Sequence, residues 1–146
     1  MTTMLENVQL GPIVRTVTRD TIADYEAILG IGNPLHFDEE YARETPFGGI
    51  IAHGMMSLGY VSEMMAQAFG TGWYEAGELD TTFVRAIRPG DTITTHGKIT
   101  GQKSAREETL VVCDIYCENQ LGERVLEGTA QARATGPVHG IPEIEA

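Results

Sequence analysis

Residues 52–68, AHGMMSLGYVSEMMAQA, carry one charge, Glu63, in seventeen positions. Met, Leu, Tyr and Val fall on most faces of any helix drawn through them, with Gly54, Ser57, Gly59, Ser62 and Ala66 between. A helix that is apolar nearly all round has no solvent face and must be buried. At 1.5 Å per residue it is about 25 Å long, too short and too rich in His, Glu and Gly for a membrane span. The rest of the chain therefore has to wrap this helix.

The wrapping material follows it. From Gly77 the hydrophobic period becomes two, and ELDTTFVRAI and DTITTHGKIT read as strands joined through Arg88-Pro89-Gly90-Asp91, a turn with its usual residues. ETLVVCDIYCE and ERVLEGTAQARA then flank a hairpin turn at 119–122. The last strand sets Leu126, Gly128, Ala130 and Ala132 on a small, buried face and Glu127, Thr129, Gln131 and Arg133 on a wet one. Before the central helix, residues 13–17 read as a short strand. A helix follows, capped by Thr18 or Asp20, with Ile22, Tyr25 and Ile28 marking one face and Gly30 at its end. Within the loop of residues 30–51, DEEYARE is expected to form a turn or two of helix with its acids at the N-terminal end.

One early strand, one buried helix and four long antiparallel strands predict an α+β chain whose sheet wraps a central helix, the hotdog architecture; other two-layer α+β arrangements share this order. At 146 residues and 15.9 kDa the chain is one domain, 1–146, with a peripheral Pro- and Gly-rich tail from about 136. Cys113 and Cys117 share one strand face about 13 Å apart, which forbids a mutual disulfide and predicts reduced core thiols.

Charge narrows the function classes. A net charge of -11 opposes nucleic-acid and anionic-membrane surfaces, so neither partner is expected. Seven of the ten Lys and Arg residues nevertheless lie after residue 84, which leaves room for a local phosphate-binding patch. The N-terminal MTTMLENVQL has neither a basic cluster nor an apolar run, so a cytoplasmic location is expected. Without a Gly-rich nucleotide loop or metal-ligand spacing, no cofactor and no metal are expected.

The chemistry-bearing stretch is residues 29–42, LGIGNPLHFDEEYA, which places His36 at the end of a tight polar turn. Asn33-Pro34-Leu35-His36 with Asp38, and Ile51-Ala52-His53-Gly54-Met55 opening the central helix, resemble the MaoC-like hydratase/dehydratase family, including R-specific enoyl-CoA hydratases. The resemblance extends to FVRAIRPGD and covers nearly the whole chain. It implies a hotdog subunit, homodimeric or higher, that adds or removes water across the α,β double bond of an acyl group on coenzyme A or an acyl carrier. Coenzyme A then arrives only as part of the substrate. The resemblance makes His36 the acid/base and the Gly54 amide the donor to the thioester oxygen, with Ser62 near the site. A His titrates near neutrality and serves either proton role, while free N–H groups at a helix start suit an oxyanion.

The pattern departs at one place, where the family's loop Asp is replaced by Ile31. Three readings follow. The first keeps hydratase or dehydratase activity, with His36 making both proton transfers or with a carboxylate from Asp24, Glu26, Asp38 or the substrate standing in. The second is an acyl-thioester-binding subunit of low activity, in a heteromer with an Asp-bearing chain. The third is a hotdog thioesterase. Around the site, Ile31, Asn33, His53, Ser62, Arg85 and Arg88 are the candidate substrate-binding residues, with Asn33 fixing the loop and the two arginines suited to coenzyme A phosphates.

Overall fold

The computed structural model describes residues 8–135 and the backbone of residues 141–142. Two short strands, β1 (Val8–Leu10) and β2 (Val14–Thr16), lead into α1 (Arg19–Leu29). A 3₁₀ turn (Pro34–His36) and α2 (Glu39–Arg43) follow, then α3 (Gly54–Phe69) and α4 (Thr71–Ala76). The strands β3 (Glu78–Phe83), β4 (Thr92–Ala105), β5 (Glu108–Glu118) and β6 (Arg124–Arg133) complete the sheet, with β7 (Ile141–Pro142) at its edge. The order is β3-β6-β5-β4-β1-β7, every pairing is antiparallel, and β2 also pairs with β4.

This sheet wraps α3, as the patterning predicts, and the fold is a hotdog. Met56, Val61, Met64, Met65, Ala68 and Phe69 of α3 form one core with Ile93, Ile99, Val111, Ile115, Leu126 and Ala130 of the strands. Each of these side chains larger than alanine contributes about 1.5–3 kcal/mol by leaving water. Cys113 and Cys117 lie in the same core as free thiols, and burial pushes both up to about 12.

Several details differ from the sequence reading. The central helix is not covered all round, since Met55 is 53% exposed and Gly59 and Gln67 are also exposed. A single curved sheet covers one side of a cylinder and leaves a strip open. Ile28 is 81% exposed and does not share the face of Ile22, because it lies about 120° around the helix from that buried residue; the inward turn is completed by half-buried Tyr25 and Glu26. The first long strand ends at Phe83 instead of Ile87. From there the chain crosses the approach to α3, where the Ala52 N–H donates to the Ile87 carbonyl at 2.8 Å. Helix α4 has no counterpart in the sequence reading; it is tied to α3 by the Trp73 indole N–H donating to Ser62 Oγ at 2.9 Å. The tail expected to be peripheral lies outside the described residues except for β7, which pairs with β1. Among the described residues, no helix is long and apolar enough to cross a membrane.

Candidate active site

The loop is built by a succession of caps. Thr18 accepts from the Thr21 N–H at 3.1 Å and starts α1, and Gly30 ends it in the left-handed conformation with φ 61°. Asn33 Oδ1 accepts from the Leu35 N–H at 3.1 Å, and Pro34 opens the 3₁₀ turn whose last residue is His36. The turn sets His36 Nδ1 2.8 Å from the Ile51 carbonyl oxygen. A carbonyl only accepts, so Nδ1 carries the hydrogen of the neutral ring and Nε2 keeps the basic lone pair.

His36 lines a mostly apolar cleft of ≈ 400 Å³, shared with Gly54, Met55, Ser57, Phe83 and Arg85. Gly54 is the first residue of α3, and the capping residue His53 makes no side-chain bond to the helix start. The Met56 N–H already donates to the His53 carbonyl at 3.0 Å, so the Gly54 and Met55 N–H groups precede the ladder of α3, and the positive end of the helix dipole borders the cleft. Ser57 Oγ donates to the Gly54 carbonyl at 2.6 Å. A Cβ at position 54 would come 2.9 Å from Phe83 Cε1, so the Phe83 ring rests against the bare backbone of Gly54 and would have to shift for any larger residue.

Behind His36 lies a second imidazole. The His53 ring is 3% exposed and stacks on His36 with centroids 3.8 Å apart and planes 24° from parallel. Its Nε2 lies 3.2 Å from Glu26 Oε1, while Glu26 Oε2 accepts from the Gly32 N–H at 3.2 Å. The Tyr25 ring tilts against His53 at 4.9 Å. The Gly32 N–H, aided by His53, holds the Glu26 carboxyl below its ordinary range against the opposing effect of desolvation. Burial depresses His53, with the neighbouring His36 acting in the same direction, although the bond to Glu26 opposes both. A single protonation state satisfies both groups: ionised Glu26 accepting from the Nε2–H of a neutral His53. Protonating Nδ1, which is buried without a hydrogen-bond partner, would create a donor with no acceptor.

The candidates from the sequence thus divide. His36, Gly54 and Arg85 come together in the cleft, and Arg85 also pairs with Glu123 at 3.5 Å. His53 sits behind the wall, and Asn33 holds the turn. Ile31 is 53% exposed and does not line the cleft. Neither does Ser62, whose hydroxyl is engaged by Trp73; the serine that the helix turns into the cleft is Ser57. Arg88 stays in its turn, its N–H donating to Asp91 Oδ2 at 2.8 Å. Of the three carboxylates considered, Asp24 is exposed, Asp38 caps α2 by accepting from the Tyr41 N–H, and Glu26 reaches His53. Sequence reasoning left Ser57 and Phe83 unmarked, and only the period of α3 relative to its sheet could have separated Ser57 from Ser62.

A larger, polar groove of ≈ 800 Å³ lies on the sheet's outward face. There His96 pairs with Glu118 at 2.8 Å and stacks on Tyr116, over which Arg124 also lies. His96 and Arg124 are thus engaged with Glu118 and Glu127, whereas the smaller cleft brings His36 beside the start of α3. No group of three or more His, Cys, Asp or Glu side chains among the described residues is arranged to hold a metal.

Comparison with known proteins gives a family-model match, described as MaoC like domain, over residues 3–118. An (R)-specific enoyl-CoA hydratase of Rhodospirillum rubrum is 30% identical over 123 residues, 84% of this chain and 83% of that protein. A 3-hydroxybutyryl-CoA dehydratase of Methylorubrum extorquens is 25% identical over 117 residues, 80% and 72% of the two chains. The solved structure of an R-hydratase from Pseudomonas aeruginosa superposes with a TM-score of 0.76 at 25% identity, covering 97% of this chain and 90% of that one.

Proposed function

The chain belongs to the MaoC-like domain family, and on that premise we propose that it hydrates an α,β-unsaturated acyl thioester, or dehydrates the corresponding 3-hydroxyacyl thioester. The observation that carries this reading is His36, anchored through Nδ1 to the Ile51 carbonyl at the wall of a cleft that also holds the uncapped start of α3. The relatives named as a hydratase and a dehydratase of coenzyme A thioesters support the same reaction class.

In the forward direction, His36 Nε2 takes a proton from water as the water oxygen bonds to the β-carbon. The electron pair of the double bond moves onto the thioester oxygen, where the Gly54 N–H faces the developing charge. The enolate then collapses, and the His36 imidazolium returns its proton to the α-carbon. One imidazole performs both transfers, and the scheme needs no cofactor. Met55 and Phe83 offer apolar surface to the acyl chain, and Arg85 offers a charge to a phosphate of coenzyme A.

The test is a spectrophotometric assay of the purified protein on a panel of enoyl-CoA thioesters, following loss of the conjugated chromophore. His36→Ala is expected to lower the rate about 10²- to 10⁴-fold. Activity that survives His36→Ala overturns the assignment. Ile31 motivates a second reading, in which the chain is a thioester-binding subunit; activity that appears only on mixing with an Asp-bearing MaoC-like chain would favour it.

A further inference from the structure

A lone histidine that takes and returns a proton must carry a positive charge during turnover, inside an apolar cleft where charge is poorly solvated. The imidazolium therefore needs a fixed counter-charge, and Ile31 in the same loop offers none. Several charged groups surround the paired histidines. Arg85 across the cleft has the wrong sign, and Asp38 is turned to the start of α2. Tyr25 packs on His53 as an aromatic face, and burial pushes its hydroxyl still further from ionisation. Glu26, on α1, is half-buried, bonded to Gly32 on one oxygen and to His53 on the other.

We propose that Glu26 is a positioning residue for the reaction assigned to His36, holding His53 in its Nε2–H form under the His36 ring and supplying the negative charge that balances His36 during turnover. The inference rests on the function proposed above. The coupling runs through contact: Glu26 Oε1 to His53 Nε2 at 3.2 Å, then His53 to His36 by stacking at 3.8 Å. Glu26 itself does not line the cleft, so it has no direct part in holding the substrate. Its bond to the Gly32 N–H ties the same carboxylate to the loop that presents His36, so charge and geometry are set by one side chain.

Glu26→Gln preserves the shape and removes the charge. One amide oxygen cannot serve both the Gly32 N–H and the His53 Nε2–H, because the amide nitrogen presents a donor to whichever is left. The expected result is a fall in kcat of about 10²-fold with KM within about twofold, the size of effect that misplacing a reacting group produces. Glu26→Asp keeps the charge on a shorter side chain and is expected to retain more of the rate than Glu26→Gln; a purely steric role predicts the reverse order. Imidazole nitrogen NMR supplies a readout that needs no turnover: His53 is expected as the Nε2–H tautomer in the wild type and to lose that preference in Glu26→Gln. A wild-type kcat in folded Glu26→Gln, or a His53 tautomer unaffected by the substitution, overturns the proposal. Should Glu26→Gln fail to fold, His53→Phe keeps a ring under His36 and severs the link, and a wild-type kcat there is equally fatal. A wild type inert on every thioester would remove the proposed function, while the NMR arm would still decide whether Glu26 controls the paired histidines.

Discussion

His53 is a residue whose burial and bonding pull in different directions. Its desolvation keeps the folded-state pKa below the ordinary 6.5, so the unfolded chain binds a proton that the folded one refuses. The contribution is complete above pH 6.5 and is lost as pH falls through the folded value. Glu26, depressed below 4.5 chiefly by the Gly32 N–H, adds a second loss at lower pH, again as the unfolded chain takes up the proton first. Thermal melts between pH 7.5 and 4 are therefore expected to show the melting temperature beginning to fall below about pH 6.5. In His53→Gln the upper part of that fall should vanish. At this scale the loop motif was legible in the sequence, because Asn33, Pro34 and His36 act through short-range turn geometry. The carboxylate was not legible: Asp24, Glu26 and Asp38 are equivalent along the chain, and packing alone turns Glu26 toward His53.

Helix α1 links local capping to the site. Thr18 and Thr21 form a reciprocal capping box, with the Thr18 N–H donating to Thr21 Oγ1 at 2.8 Å in return. Thr18→Ala removes the acceptor for the Thr21 N–H and is expected to destabilise the protein by about 1 kcal/mol, measurable by chemical denaturation. An unchanged midpoint would mean that docking of Ile22 and Tyr25, rather than the cap, holds the helix start. Element types were largely predictable because period 2 and period 3.6 are local properties. Their ends and faces were less so. β3 stops at Phe83 because the chain must cross toward Ala52, and α3 turns Ser57 rather than Ser62 into the cleft because the sheet lies on one side of it. The two serines are about 140° apart around the helix, and only the position of the sheet decides between them.

For the whole molecule, the open strip of α3 is the feature left over by a one-sheet wrapping. Met55 is exposed there, and Phe83 and Val84 are exposed nearby at the cleft. The expected state in solution is a homodimer, and sedimentation equilibrium should return twice the 15.9 kDa chain mass; a monomer at micromolar concentration would contradict this. By itself the sequence determined the central helix, the antiparallel strands that enclose it and the polar turn carrying His36, because each depends on hydrophobic periodicity or on caps within a few residues. Tertiary structure alone decided that Glu26 is the carboxylate that meets His53, that the Ile51 carbonyl anchors His36 and that Phe83 covers Gly54. Those contacts join residues 27, 15 and 29 positions apart, from Glu26 to His53, His36 to Ile51 and Gly54 to Phe83. No local pattern encodes such distances; they arise only when α1 and its following loop dock at the start of α3 and β3 closes over it.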